Sequence, residues 1–395
     1  MIVSMLGVFT KPLSYIIPIK KKCWIFGADY GNMYREGSKY MLEYMLANHP
    51  DYDCTFITRN PLVKRDLDKK GIPCEMNFSL KGIWKVLRSE IIFTTQVATD
   101  ILLVYKKSKR IFIYLCHGQP YKATFLATPK EYLDNNKKKN SPFMSKWKKT
   151  AHFLTYGYTF IDSKFFISTS EYLIKYNKMY FGEDADIRVL GMPRNDGLFD
   201  DKRMQSECWL ENVSGKFIIT YMPTHRNFGK GETSPVPFLH DEKAQQWMRD
   251  NNVVFLVKQH PNMEYKTNVE TGSDVIINIS KMRFDPQVVL YHSDALITDF
   301  SSVWIDYLIL QRPLLFYIYD DYETEDTGKL YDIRKEPPGP FCYNEKDLFE
   351  LVKLVYNNYD EMKPSSPLLK KYHKYLDGNS CERLFQSIIH DDEKR

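Results

Sequence analysis

A chain of 395 residues has room for two or three domains with full hydrophobic cores. With 43% hydrophobic and 27% charged residues it is an ordinary globular protein, which excludes disordered and collagen-like classes. The net charge of +5 favours an anionic partner, but it is too mild and its lysines too local for a nucleic-acid binder.

The opening "MIVSMLGVFTKPLSYIIPIKKK" is apolar but broken by Lys11, Pro12 and Pro18, too interrupted for a spanning helix. Its positive charge follows the apolar part, the reverse of a signal peptide. It reads as a surface or membrane-contacting lead-in to a first strand, "CWIF" at 23–26. A helix at 36–49, a strand at 54–58 and a short helix with Pro61 at its start come next. Further strands are read at 91–95, 111–116, 164–169 and 187–191. After a polar, turn-rich stretch near 195–215 a second series begins, with strands at 216–223, 253–259, 274–279, 294–298 and 314–319. Amphipathic helices at about 345–357 and 367–390 close it.

This alternation is the signature of an α/β fold. It predicts two Rossmann-like domains facing a central cleft, 1–200 and 201–395, with C-terminal helices. In such sheets ligands bind beyond the carboxyl ends of the strands. The seven cysteines are scattered and include no C-x-x-C pair, so neither a disulfide framework nor a structural zinc site is indicated, and a reducing cytoplasm is the simplest setting. One segment breaks the rhythm. Residues 135–160 interleave Lys137, Lys138, Lys139, Lys146, Lys148 and Lys149 with aromatics. That pattern suits an interfacial helix on anionic lipid and equally a solvated basic loop followed by a packed helix.

Four strand ends carry chemistry-bearing side chains. In "YLCHGQPYK" (114–122) His117 precedes Gly118, which lets the backbone turn sharply, and Lys122 adds a cation. A neutral imidazole suits taking a proton from a hydroxyl. In "YMPTHRNFG" (221–229) Thr224 offers a hydroxyl and Arg226 a planar fork for phosphate oxygens; a plain turn with one surface arginine explains the stretch equally well. In "VVFLVKQHPN" (253–262) Lys258 and His260 sit just past a strand, where backbone groups alone would also satisfy a histidine. In "ALITDFSSVWIDYLILQRPLLFY" (295–317) an apolar strand ends at Asp299, and Ser301 or Ser302 would cap the following helix. The free amides there also form an anion site. No G-x-x-x-x-G-K-[ST] or G-x-S-x-G motif is present, which argues against P-loop kinases and hydrolases, and no H-E-x-x-H or D-x-D stands out to indicate a dedicated metal site.

In order, "WIFGADYGNMYREGSKYMLEYM", "HGQPYK", "GMPRNDGLF", "YMPTHR", "KQHPN" and "ITDFSSVWIDYLILQRPLLFYIYDDYE" resemble the CDP-glycerol glycerophosphotransferase family, the polymerases and primases of teichoic acids and related capsule polymers. The resemblance implies a GT-B fold and transfer of a polyol phosphate from a CDP-activated donor such as CDP-glycerol, with release of CMP. It implies that His117 is the base and that His260 stands beside the donor phosphates. Thr224, Arg226, Lys258, Asp299, Ser301 and Ser302 then belong to the CDP-donor site. Gly118, Lys122 and Asp162 fall to the acceptor side. Gln119 stands where the family often has a small hydroxyl residue, and His225 where an aromatic is frequent, which leaves the donor polyol open. The acceptor implied is a lipid-linked glycan or a growing polymer at an anionic membrane surface, with the protein peripheral on the cytoplasmic face. No cofactor is required; a divalent cation on the diphosphate is compatible with the chemistry. A GT-B glycosyltransferase using a nucleotide sugar, a CDP-ribitol-dependent transferase and a non-catalytic membrane scaffold are the rival readings.

Overall fold

The computed structural model describes residues 13–96, 100–101, 110–123, 127, 163–207, 209–224, 235–259, 272–320 and 329–393. His260, Arg226, Asp162 and the basic-aromatic segment 135–160 lie outside the described residues.

The described chain divides into two compact units. One takes the residues up to Gln119, those from 163 to Phe199, and those from Asp377 on; the other takes Pro120–Ala123 and Asp200–Leu376. In the first unit the strands are β1 (Cys23–Phe26), β2 (Asp53–Thr58), β3 (Cys74–Met76), β4 (Ile91–Thr94), β5 (Ile111–Tyr114), β6 (Phe166–Ser168) and β7 (Ile187–Val189). They form one parallel sheet in the order β3-β2-β1-β4-β5-β6-β7. A parallel sheet is covered on both faces, so its central strands must be apolar on both sides. β1, β4 and β5 are buried at every position. Phe26 stacks on Phe93 with ring centroids 4.7 Å apart.

The second unit repeats the plan with β8 (Phe217–Tyr221), β9 (Val253–Val257), β10 (Ile276–Asn278), β11 (Ala295–Thr298), β12 (Leu314–Tyr317) and β13 (Phe341–Cys342). Their order is β10-β9-β8-β11-β12-β13, again parallel. Each sheet therefore reverses its direction of growth once, between β1 and β4 in the first and between β8 and β11 in the second. These are the switch points at which doubly wound sheets open a ligand crevice.

Local chemistry sets the helix starts. Asn60 accepts from Leu62 N at 3.0 Å ahead of Pro61, and Asn344 accepts from Asp347 N at 2.9 Å. The sequence reading passed over β3, β13 and the helices Leu80–Arg88 and Glu242–Asp250. The expected closing helix at 367–390 is two helices, Ser366–Tyr372 and Ser380–Glu393. The break contains Gly378 at φ 66, where a Cβ would lie 2.9 Å from Phe199 Cβ. The last helix also packs with the first unit rather than with the second, where chain order had put it.

Candidate active site

In the first unit the switch point is organised by a residue the sequence reading did not single out. The fully buried Asp100 accepts from Tyr30 N (2.8 Å) in the loop after β1 and from Thr95 N (2.7 Å) and Gln96 N (2.8 Å) after β4. Burial raises its carboxyl to about 6, against the opposing pull of these N–H donors. Gly27 is required here, because a Cβ would meet Ile101 Cγ2 at 2.4 Å and Asp100 O at 2.9 Å. Beside it Asp29 and Tyr30 take left-handed backbone angles, φ 49 and 55. Asp29 pairs with the buried Arg35 at 3.0 Å.

His117 follows β5, the strand next to β4, on a turn that starts with Cys116 at φ 59. Its backbone carbonyl accepts from Arg194 Nη1, which also donates to Glu36 Oε2 at 2.7 Å. His117 is an exposed residue, although protein crowds around its imidazole. That crowding, and next the Arg194 guanidinium, lower its pKa below 6.5. At neutral pH His117 is an uncharged base. Gln119, the departure noted above, is buried: its amide donates to Met192 Sδ at 3.0 Å and accepts from Asn177 Nδ2 at 3.3 Å.

In the second unit Thr224 stands beyond β8 and Asp299 beyond β11, at the other switch point. Asp299 is fully buried and accepts from Thr224 N at 2.8 Å and from the Thr224 hydroxyl. It thus ties the two loops together. Lys258, 3% exposed, is fixed through its own N–H to Tyr221 O at 2.9 Å. The serine pair differs from expectation. Ser302 occupies the N-cap position of the helix Val303–Tyr307 but its side chain makes no capping bond, while Ser301 Oγ accepts from Val303 N at 3.4 Å, a weak contact. Asp306 is buried and accepts from Gln287 Nε2 at 3.4 Å, so it does not face solvent.

The structure thus brings Thr224 and Asp299 together in one unit and sets His117 and Gly118 on a turn of the other. Lys122 belongs to the second unit: it bridges to Lys329, and its neighbour Tyr121 packs on Tyr331 at 5.0 Å. Among the described residues, no cluster of three or more His, Cys, Asp or Glu side chains converges as metal ligands. Asp29, Arg35, Glu36, Asp100 and Arg194 were missed as site residues. Their one sequence signal was membership in the motif stretches after β1 and β7, and Asp100 lacked even that.

Over residues 9–390 the sequence matches the family described as CDP-Glycerol:Poly(glycerophosphate) glycerophosphotransferase. The teichoic acid poly(glycerol phosphate) polymerase of Bacillus subtilis is 25% identical over 391 residues, 94% of this chain and 49% of the polymerase. The teichoic acid glycerol-phosphate primase of the same organism is 27% identical over 314 residues, 78% of this chain and 76% of the primase. The chain spans about half the length of the polymerases it matches, 49%, 58% and 51% for three of them. A solved structure of the wall teichoic acid polymerase TagF superposes with a TM-score of 0.73 at 22% identity, covering 100% of this chain and 95% of that one. That likeness gives the fold, GT-B-like with two Rossmann-like units. With the family match extending over nearly its whole length, the chain belongs to the CDP-glycerol:poly(glycerophosphate) glycerophosphotransferase family.

Proposed function

We propose that this protein transfers a polyol phosphate, glycerol phosphate in the first instance, from a CDP-activated donor to a hydroxyl of a lipid-linked or polymer acceptor. CMP is released, and the product is a teichoic-acid-like or capsular polymer. The observation that carries the reading is the neutral His117 on a clamped turn beside the first switch point, in a chain of this family. The acceptor oxygen attacks the phosphorus next to the polyol and its proton passes to the imidazole. The new P–O bond forms as the bond to the CMP phosphate breaks. Charge gathers on phosphoryl oxygens, so positioning and cations contribute more than covalent catalysis. Thr224, Lys258, Ser301 and Ser302 are proposed to hold the diphosphate together with Arg226 and His260, and Asp299 to orient Thr224. Gly118, Lys122 and Asp162 are proposed for the acceptor side, and the donor domain is proposed to begin near residue 200.

A structure of TagF with CDPG, similar to this chain at TM-score 0.70 and 22% identity, supports CDP-glycerol as the first donor to try. Ribitol-phosphate polymerases also stand among the relatives, such as TarL of Staphylococcus aureus at 25% identity over 84% of this chain. The deciding experiment measures CMP release from CDP-glycerol and CDP-ribitol, and nucleotide release from a panel of nucleotide sugars, with and without divalent cation. CMP from a CDP-polyol supports the reading; turnover of nucleotide sugars alone replaces it with a glycosyltransferase.

We further propose that the protein works on the cytoplasmic face of a membrane without spanning it. Among the described residues no helix is long and apolar enough to cross a bilayer. The segment 135–160 remains a proposed anchor. A second surface supports the same reading: Leu80 and Trp84 on the helix Leu80–Arg88 are 89% and 50% exposed, and Tyr15 and Ile16 are 61% and 79% exposed. Ile17 and Ile83, next to these pairs, both pack on the same core cluster of the first unit, and Lys20 N donates to Arg88 O at 2.8 Å. Lys21 and Arg88 add positive charge near these residues, while Lys81 is paired with Glu75 at 2.6 Å.

A further inference from the structure

We propose that Arg194, held by Glu36, is a positioning residue for His117: it fixes the turn that presents the imidazole and sets a permanent positive charge beside it. The inference rests on the proposed reaction only for its effect on rate.

The geometry is that of a bridge. Arg194 lies in the turn run Pro193–Phe199, and Glu36 opens the helix Glu36–Asn48. Their side chains are 4% and 8% exposed, and the guanidinium Nη1 is shared between the Glu36 carboxylate and the His117 carbonyl. A buried guanidinium needs acceptors for its N–H groups, and here one of them is the backbone of the candidate base itself. Two non-glycine residues in this network sit in the left-handed region, Cys116 at φ 59 and Glu36 at φ 62. Such angles persist where the surroundings over-determine the backbone, and they cluster at functional sites.

Charge gives the second line of argument. Burial is the largest influence on the His117 ring; among the charged side chains acting on it are Arg194, Asp29 and Arg35, and Arg194 has the largest influence of these three. Asp29 and Arg35 pair with each other and push in opposite directions, the former favouring the imidazolium and the latter opposing it. A hydrogen bond to the Thr95 backbone also favours the charged ring. After burial, which is the larger cause, Arg194 is the leading charge that favours the neutral imidazole a general base requires.

The test separates charge from position. In protein labelled at histidine, the His117 signal is identified by its loss in His117→Ala and titrated by NMR. Arg194→Met removes the cation while burial remains, so the His117 pKa should rise toward the ordinary value of about 6.5. The acid limb of kcat/KM should move to higher pH with it. Arg194→Lys keeps the charge but not the planar fork: the pKa should stay low while kcat with the CDP-polyol donor falls on the order of 10²-fold at nearly constant donor KM. Should Arg194→Met fail to fold by circular dichroism, Glu36→Gln takes its place. It leaves the guanidinium unneutralised, so the His117 pKa should fall. An unmoved His117 pKa in a folded Arg194→Met protein, or a rise in Glu36→Gln, overturns the charge assignment. A wild-type kcat in Arg194→Lys overturns the positioning. The titration needs no turnover, so shifts as expected in a protein that transfers no polyol phosphate would leave this inference standing and remove the reaction instead.

Discussion

At the first switch point the proposed reaction assigns His117 the proton transfer, while Asp100 joins the loops after β1 and β4. Removing the imidazole by His117→Ala should lower transfer by about 10²–10⁴-fold, the usual worth of a positioned base, while calorimetry still detects CDP-glycerol binding. Near wild-type turnover in that variant would make His117 a structural residue. A base acts in its deprotonated form, so with a pKa below 6.5 wild-type kcat/KM should climb with pH through that value and be flat at neutrality. Asp100 supports the site from behind. Asp100→Asn turns an amide NH₂ toward at least one of the backbone N–H groups of Tyr30, Thr95 and Gln96, leaving a buried donor unmatched. A loss of about 1–3 kcal/mol is expected, read as a lower urea midpoint. The place of His117 on a turn after a strand was legible in the sequence because a histidine-glycine pair at a strand end is a local pattern. Asp100 was not, since its partners lie up to 70 positions away and its role exists only once β1 and β4 are adjacent.

At the scale of elements, the loops beyond β8 and β11 and the helix Val303–Tyr307 define the donor half of the proposal. That helix has five residues, so its dipole is small and any hold on phosphate must come mainly from hydroxyls and free N–H groups. Neither serine hydroxyl is engaged in a strong cap. The double change Ser301→Ala with Ser302→Ala should therefore weaken CDP-glycerol binding by roughly tenfold, the equivalent of one or two neutral hydrogen bonds, at little cost in stability. Calorimetry checks it, and unchanged affinity would move the diphosphate elsewhere. Long apolar runs such as "IFIYLC" and "VVFLVKQ" announced their strands. β3 and β13 did not, because edge strands of three and two residues carry no periodicity and form only where a neighbour offers a ladder. The single helix expected at 367–390 failed for a related reason. Apolar spacing continues across Asp377 and Gly378, while Asp196 accepts from Ser380 N (2.9 Å) and Cys381 N (2.7 Å) and so starts a new helix from a distance of 184 residues.

Over the whole molecule, the alternation of strands and helices was the most legible feature: two α/β series pointed to two Rossmann-like units, and the ordered motifs to the family, while the strand order itself came from the structure. Surface attachment belongs to this scale too. Replacing Leu80 and Trp84 by Ser should lower sedimentation with anionic vesicles at low salt, as should exchanging the lysines of 135–160 for Gln, with the protein still folded by circular dichroism. Equal binding by wild type and both variants would sink the membrane reading of these two surfaces. What chain order misjudged was the last helix, whose Leu384, Phe385 and Ile388 are buried in the first unit, with Phe385 stacked 3.7 Å from the His49 ring. That return has a consequence for synthesis. The ribosome emits every residue of the second unit before it emits the helix that completes the first, so the unit begun earlier is finished later. Nascent chains extended so that they stall with Ser380–Glu393 still in the exit tunnel should resist protease within 235–259 and 272–320 and be cut within 20–96. Resistance of both regions at that stall would mean that the first unit closes without its final helix.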